Sequence, residues 1–462
     1  MAVSDTLADP IAEFLIAATS GDRARADALL AAHPTLADAN IYAAAVLGDD
    51  TVVRGMLSRD PARATVSGGP RGWDPLTYVC FSHYLTTDVA PDEARHGVHA
   101  SRFVRTAAAL LASGAGANTG FMQQGGPSQH PEWACALYGA AAVAGHPGVT
   151  RLLLAHGADA NDEEVVYHAA ERYDHRALTV LVEHGTLSAD SLATLLLRKC
   201  DWHDADGVAY LLAHGADANR MTRWHRTALY QAIIRDNAIG IIAQLLDAGA
   251  DATRGADGIS SVLQAARDGR RDCLELFAQR GVELAAGGSD AILVACAMGD
   301  RAKAVALAAA HPADGDADGD ADRDADGDAV LARGGATLAE FAGIGNAAGV
   351  EALLAVGVPV NARHADGDGY WGLARESTAL HVAAWRARHE TVRVLIAHGA
   401  DVHARDADGR TPLMLAVKAC VDSYWTDTRR PDSVAALLAA GARPDGVAVP
   451  CGYDAVDLLL RD

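Results

Sequence analysis

Apolar residues fall along this chain in short blocks, each closed by the same turn. The string L-L-x-x-G-A-x-A-N stands at 110–118, 153–161 and 211–219, with variants at 245–253, 353–361, 395–403 and 437–445. Upstream of several copies lies a compact apolar block opened by threonine: TALYQAI at 227–233, TALHVAA at 378–384 and TPLMLAV at 411–417. Looser copies occupy 260–266 and 165–170, and the slot at 29–34 and 56–61 is closed by proline. The pattern predicts two short helices per period. Threonine caps the first helix, and proline is tolerated at its first position because the missing N–H would be unpaired there. A small Ala-Ala pair allows close approach to neighbours. The second helix gives its Leu-Leu to a shared core and stops at a glycine in the left-handed region. Residues at that slot (His33, Asp60, Gly114, Gly157, Gly185, Gly215, Gly249, Gly281, His311, Gly357, Gly399 and Gly441) mark about twelve periods. Where histidine precedes the glycine (His156, His184, His214, His398), the helix dipole favours it at the C-terminus.

Together, the paired T-P-L-H-x-A-A-like and L-L-x-x-G-A-x-A-N motifs resemble the ankyrin repeat over nearly the whole chain. The resemblance implies an all-α fold, a solenoid of about twelve helix-turn-helix repeats with finger loops between them. One helix pair cannot bury its apolar face alone, so the repeats must stack, with polar-faced ends as caps. The expected organisation is a single array over 1–462. Residues 1–34 form the N-terminal cap, 35–312 and 329–445 the repeats, 313–328 an acidic loop and 446–462 a closing half-repeat.

Insertions break the period. Those at 123–131 and 364–376 fall between repeats, where fingers project, and those at 86–101 and 421–430 fall between the two helices of one repeat. All are expected to extend the surface without disturbing the core. The acidic run at 314–328 has too little apolar content to fold. Asp322, Asp324, Asp326 and Gly327 match the opening of a calcium loop, but Arg333 stands where a bidentate glutamate is required, so solvation by counter-ions is expected.

The net charge of −21 disfavours nucleic acid as a partner. Lysine is nearly absent (Lys199, Lys303, Lys418) while arginine abounds, as expected of a GC-rich bacterial genome. Seven scattered cysteines without a C-x-x-C pair point to reduced, buried thiols. The N-terminus shows no basic segment followed by an apolar one, and no apolar run would span a bilayer, so a cytoplasmic protein without a membrane partner is expected. Cys200 and His203 have metal-like spacing, as do His96 and His99, but each pair lacks further ligands. No catalytic motif is present, so neither an enzyme nor a cofactor is expected.

Ankyrin arrays bind through a concave face made by the fingers and the ends of the first helices. The resemblance places Phe81, Arg172, Trp202, Arg235, Arg267, Trp385 and Arg386 on that face, with Trp73, Trp224 and Trp371 on fingers. Tryptophan and arginine are enriched at binding hot spots, and arginine pairs carboxylates in a fork. The expected function is a monomeric protein-interaction scaffold whose open groove takes an acidic and apolar protein segment. The alternative is an enzyme or a ligand- or metal-binding protein with its site on the inserted loops.

Overall fold

A computed structural model describes residues 9–88, 101–124, 131–284, 288–310, 334–423 and 426–461. The acidic run, His96, His99 and most of the insertions at 86–101 and 123–131 lie outside the described residues. The chain forms two compact units, 1–222 and 223–462.

The first unit holds six helix pairs: α1 (Pro10–Ser20) with α2 (Arg23–Ala32), α3 (Ile41–Leu47) with α4 (Asp50–Leu57), α5 (Pro75–Cys80) with α6 (Arg102–Ala112), α7 (Ala136–Tyr138) with α8 (Pro147–Ala155), α9 (Glu163–Ala169) with α10 (Arg176–His184), and α11 (Ala189–Asp201) with α12 (Ala205–Ala213). A hairpin of β1 (Gly120–Gln123) and β2 (Glu132–Cys135) forms one finger. First helices pack on first helices from α1 through α11, so each pair covers the apolar face of the one before it.

The second unit holds six more pairs: α13 (Ala228–Ile234) with α14 (Ile239–Asp247), α15 (Ser261–Arg267) with α16 (Arg271–Gln279), α17 (Gly288–Ala297) with α18 (Arg301–Ala310), α19 (Gly334–Ile344) with α20 (Ala347–Ala355), α21 (Ala379–Trp385) with α22 (His389–Ala397), and α23 (Pro412–Val421) with α24 (Asp432–Ala439). A last short helix, α25 (Asp454–Leu459), closes on α24 by burying Val456 and leaving Leu458 to solvent. Two small hairpins, β3 (Gly255–Ala256) with β4 (Ile259–Ser260) and β5 (Arg363–His364) with β6 (Ser377–Thr378), precede α15 and α21.

The repeated motif explains these elements residue by residue. Thr227 and Thr411 accept from the backbone N–H three residues on, and Thr378 forms a capping box with His381. The first leucine of each Leu-Leu pair (Leu110, Leu153, Leu211, Leu245, Leu353, Leu395, Leu437) is fully buried. The helix then ends in a Schellman turn, in which the N–H after the glycine donates back to that leucine's carbonyl, as Ala158 does to Leu153 at 3.0 Å. Gly157 (φ 85°) and Gly399 (φ 83°) supply the left-handed residue. Gly185 does not: its φ is −83°, and the position is restricted because a Cβ would meet the Leu181 carbonyl at 2.5 Å. His156, His214 and His398 set a ring Nδ1 against the carbonyl four residues back, which caps the helix end more directly than the dipole alone.

The final asparagine of the motif joins neighbouring pairs. Asn118 donates to the Gly157 carbonyl at 2.9 Å and accepts from the Asp159 N–H at 2.8 Å. Asn361 repeats this clamp on Gly399 and Asp401.

The second unit departs from regular stacking at its third pair. Helix α17 packs on α15 and then on α20, a second helix, while α19 packs on α21. Phe341 of α19 lies so close to Gly269 that a Cβ there would fall 2.5 Å from its ring. Asn346 donates to both Gly269 and Ala297, two pairs at once. The row of first helices thus closes across the α17–α18 pair.

Six of the seven cysteines are buried and all are free. Burial pushes the Cys135 and Cys296 thiols up to about 12, which leaves them protonated and unreactive at neutral pH.

Leu395→Ala should lower unfolding free energy by about 2–5 kcal/mol. Asn361→Ala, which loses two backbone bonds near the surface, should cost about 1–2 kcal/mol. Urea unfolding followed by circular dichroism checks both, and equal effects would contradict this division of roles.

Candidate functional site

In each of several pairs the turn between the two helices carries one left-handed residue. It is glycine at Gly269, Gly299 and Gly345, but Asp236 (φ 53°) and Ala387 (φ 53°) occupy the same slot in two pairs of the second unit. A non-glycine residue there costs about 1 kcal/mol, and aspartate tolerates the conformation better than most. The following residue normally caps the second helix, as Asn346 does for the Gly349 N–H. Arg270 and Arg388 stand in that capping slot and make no cap bond.

Both arginines turn toward Asp236. Arg270, only 2% exposed, forks onto Asp272 with two bonds of 2.8 Å, donates to the Asn237 carbonyl and lies 3.4 Å from Asp236. Arg388 reaches Asp236 at 3.2 Å and donates to the Gly343 carbonyl at 2.7 Å. Arg386, buried beside it, donates to the same Asp236 oxygen. Asp236 therefore ties its own pair to the next one and to the pair of α21 and α22. In a regular stack, four steps of about 8–10 Å each would hold the first and last of these more than 30 Å apart. Among the described residues of the second unit the expected groove is not open; the first-helix face closes on itself because the α17–α18 pair is bypassed.

The closure leaves a cavity of about 360 Å³ lined by Ile233, Ile234 and Ile344 and by polar groups that include Glu340, Asp268 and Trp371. An adjoining cavity of about 370 Å³ shares Gln264, Asp268 and Glu340 and extends to Arg267 and His364. The Tyr230 hydroxyl donates to Gln264 at 2.8 Å, and the Gln264 amide donates to Asp268 at 2.7 Å. Glu340 makes no hydrogen bond or ion pair among the described residues. Burial pushes its carboxyl up to about 7; Arg386 opposes the shift, and Asp368 and Asp236 reinforce it. Burial, with the charge of Glu340, also raises Asp268 well above the carboxylate range. The two carboxyls share the low-dielectric wall between the cavities, where ionising both is costly.

The insertion at 364–376 forms part of this wall and does not project, contrary to expectation. Leu373 enters an apolar cluster with Ala339, Val382, Trp385, Leu415 and Ala419, and Trp371 packs against it. The Trp385 Nε1 donates to the Trp371 carbonyl at 2.6 Å. Outside this cluster, Arg386 lies over the Trp371 ring at 4.1 Å and Arg235 over the Tyr370 ring at 3.9 Å.

The ten residues singled out from the sequence thus separate into groups. Arg235, Trp371 and Arg386 line one cavity, Arg267 lines its neighbour, and Trp385 lies directly behind them. Trp385 and Arg386 are buried structural elements of this wall and offer little open surface. In the first unit Trp73 and Phe81 are likewise buried. Trp73 stacks on Phe121 at 4.2 Å and contacts Tyr78, because the finger folds its aromatic residues inward. The half-buried Arg172 donates to the Val143 carbonyl, and Trp202 is exposed, its carbonyl accepting from Tyr173. In the second unit, outside the cavity, Trp224 is half-buried under Arg223 at 4.5 Å. Cys200 sits in the core while His203 is exposed, and no metal-binding group of three or more side chains occurs among the described residues.

Sequence reasoning missed Asp236, Arg270, Arg388, Gln264 and Glu340. Two signals were present. An aspartate replaces glycine at the left-handed turn slot and arginines replace capping residues. Gln264 and Glu340 occupy the variable position before the Ala-Ala slot, which faces the cavity.

The family model for ankyrin repeats matches residues 336–446 in three copies, the stretch that holds α19 to α24. These residues are ankyrin repeats, and the remaining pairs share their helix-turn-helix construction. No curated protein matches the chain. Among solved structures, the ankyrin repeat domain of human ASB11 is similar at 21% identity with a TM-score of 0.27, covering 60% of this chain and 96% of that one. No helix among the described residues is long and apolar enough to cross a membrane.

Asp236→Asn keeps the turn but removes the charge that three arginines share, and it should destabilise the second unit by about 3 kcal/mol. Glu340→Gln should do the opposite. With a folded pKa raised to about 7, Glu340 favours the folded state below the ordinary carboxyl range, and this contribution is lost as pH rises to about 7. The variant should therefore be more stable than the parent by about 2 kcal/mol at pH 8 and equal to it at pH 4. Urea unfolding at the two pH values checks the sign.

Proposed function

We propose that this chain is a protein-interaction scaffold and that its second unit binds a partner segment at the cavity rim. Ankyrin repeats are in general protein-interaction modules. The observation that carries the reading is the inserted loop at 364–376, which folds over the first helices and leaves Tyr370 45% exposed beside Arg235 and the cavity mouth. Arg267, half-buried on the adjoining wall, makes no ion pair among the described residues and suits a partner carboxylate. Apolar partner side chains would cover Tyr370 and the rim. The acidic preference rests on Arg267, since Arg270, Arg386 and Arg388 are already matched by Asp236 and Asp272. The cytoplasmic, monomeric state belongs to the same proposal.

One observation favours a second reading, acid–base catalysis. Burial pushes the Glu340 carboxyl up to about 7, and it lies beside a second carboxyl in a cavity lined in part by the inserted loop. Turnover by the wild type in a panel of glycosidic and ester substrates, lost in Glu340→Gln, would establish it; no turnover in the panel removes it.

The interaction reading is tested by affinity capture from native lysate, followed by titration of the purified partner. Arg267→Ala and Tyr370→Ala should each weaken that partner by about tenfold, roughly 1.4 kcal/mol. Unchanged affinity in both folded variants would overturn the assignment.

A further inference from the structure

One half-buried side chain lining the cavities of the second unit, Glu340, makes no hydrogen bond or ion pair among the described residues. Three nearby arginines are committed: Arg270 to Asp272, Asp236 and the Asn237 carbonyl, Arg388 to Asp236 and the Gly343 carbonyl, and Arg386 to Asp236 and the face of Trp371; Arg226 and Arg235 also line this cavity and Arg267 the adjoining one, against the carboxylates Asp236, Asp268, Glu340 and Asp368. Asp268 is held from behind by the Gln264 amide, which is itself fixed by Tyr230. Glu340 has no hydrogen-bonding group directed at it among the described residues, and it lines both cavities. Proteins seldom leave a partly buried carboxyl without a hydrogen-bonded counter-group.

From this geometry we infer that the cavity is a binding site for an alkyl guanidinium or alkyl ammonium group, with Glu340 and Asp268 as its counter-ions. The walls fit such a ligand along its length. Ile233, Ile234 and Ile344 suit a methylene stem, the carboxyls suit the charged end, and Tyr230 and Trp371 add aromatic surface. A volume of about 360 Å³ admits a side chain or a small amine and excludes a helix. The same chemistry has two sources: a free amine, or an arginine or lysine on the partner segment proposed above. The second source rests on the interaction reading, while the first stands without it.

The full-length chain would be titrated calorimetrically with agmatine and with the blocked peptide acetyl-Gly-Arg-Gly-amide. Acetyl-Gly-Gln-Gly-amide and glutarate serve as uncharged and anionic controls. Saturable binding of agmatine or the arginine peptide, at least tenfold weaker in Glu340→Gln, is the expected result. That variant is expected to fold more stably than the parent at pH 8, so lost binding cannot be ascribed to unfolding. Binding of agmatine without the peptide identifies a free-amine site, and binding of both identifies a side-chain site. The inference is overturned if neither cation binds, if Glu340→Gln binds them equally well, or if glutarate binds in their place. Failure of partner capture in Arg267→Ala and Tyr370→Ala with agmatine binding intact supports both readings. Intact capture in those variants, with agmatine still binding, overturns the partner segment alone.

Discussion

Everything in this fold follows from the inability of a short helix pair to bury its own apolar side. Helices of three to thirteen residues are marginal on their own in water, so their stability comes from the neighbour that covers them. Ala-Ala on the first helix allows the neighbour close, leucine on the second fills the shared layer, and the asparagine clamp sets the register. These three devices recur because each junction must meet the same requirement.

The cavity of the second unit is a local exception built from the same parts. Bypassing one helix pair converts a row of helix ends into a ring of polar side chains. Burial is then no longer apolar alone, and arginine–aspartate pairing has to satisfy the groups brought inside. The pairing is extensive around Asp236 and incomplete at Glu340. This contrast separates the structural part of the cluster from the part open to a ligand.

Much of this architecture was legible in the sequence, because the motif states its own physics. Twelve helix pairs stand among the described residues, and the marker leucines are buried as their spacing implied. The site was legible only in part. Arg235, Arg267, Trp371 and Arg386 line the two cavities, but exposure cannot be read from residue type. Trp385 is covered by the inserted loop at 364–376 and Trp73 by Phe121 of the first-unit finger, contacts remote in sequence. Glu340 and Asp236 are brought near each other by the bypassed pair, and no periodicity announces an irregularity in stacking. An aspartate where glycine is expected, with arginines where helix caps are expected, was the local sign.

A regular solenoid is a nearest-neighbour system that can fray from either end one module at a time. The salt bridges from Asp236 to Arg386 and Arg388 join positions 150 and 152 residues apart. They make a cyclic topology out of a linear one. Opening the ring at any module between them costs the same closing contact, so the modules it spans unfold as a single cooperative block. That long-range closure also carries a loop-entropy cost that only the assembled ring recovers, which makes it a late event in folding.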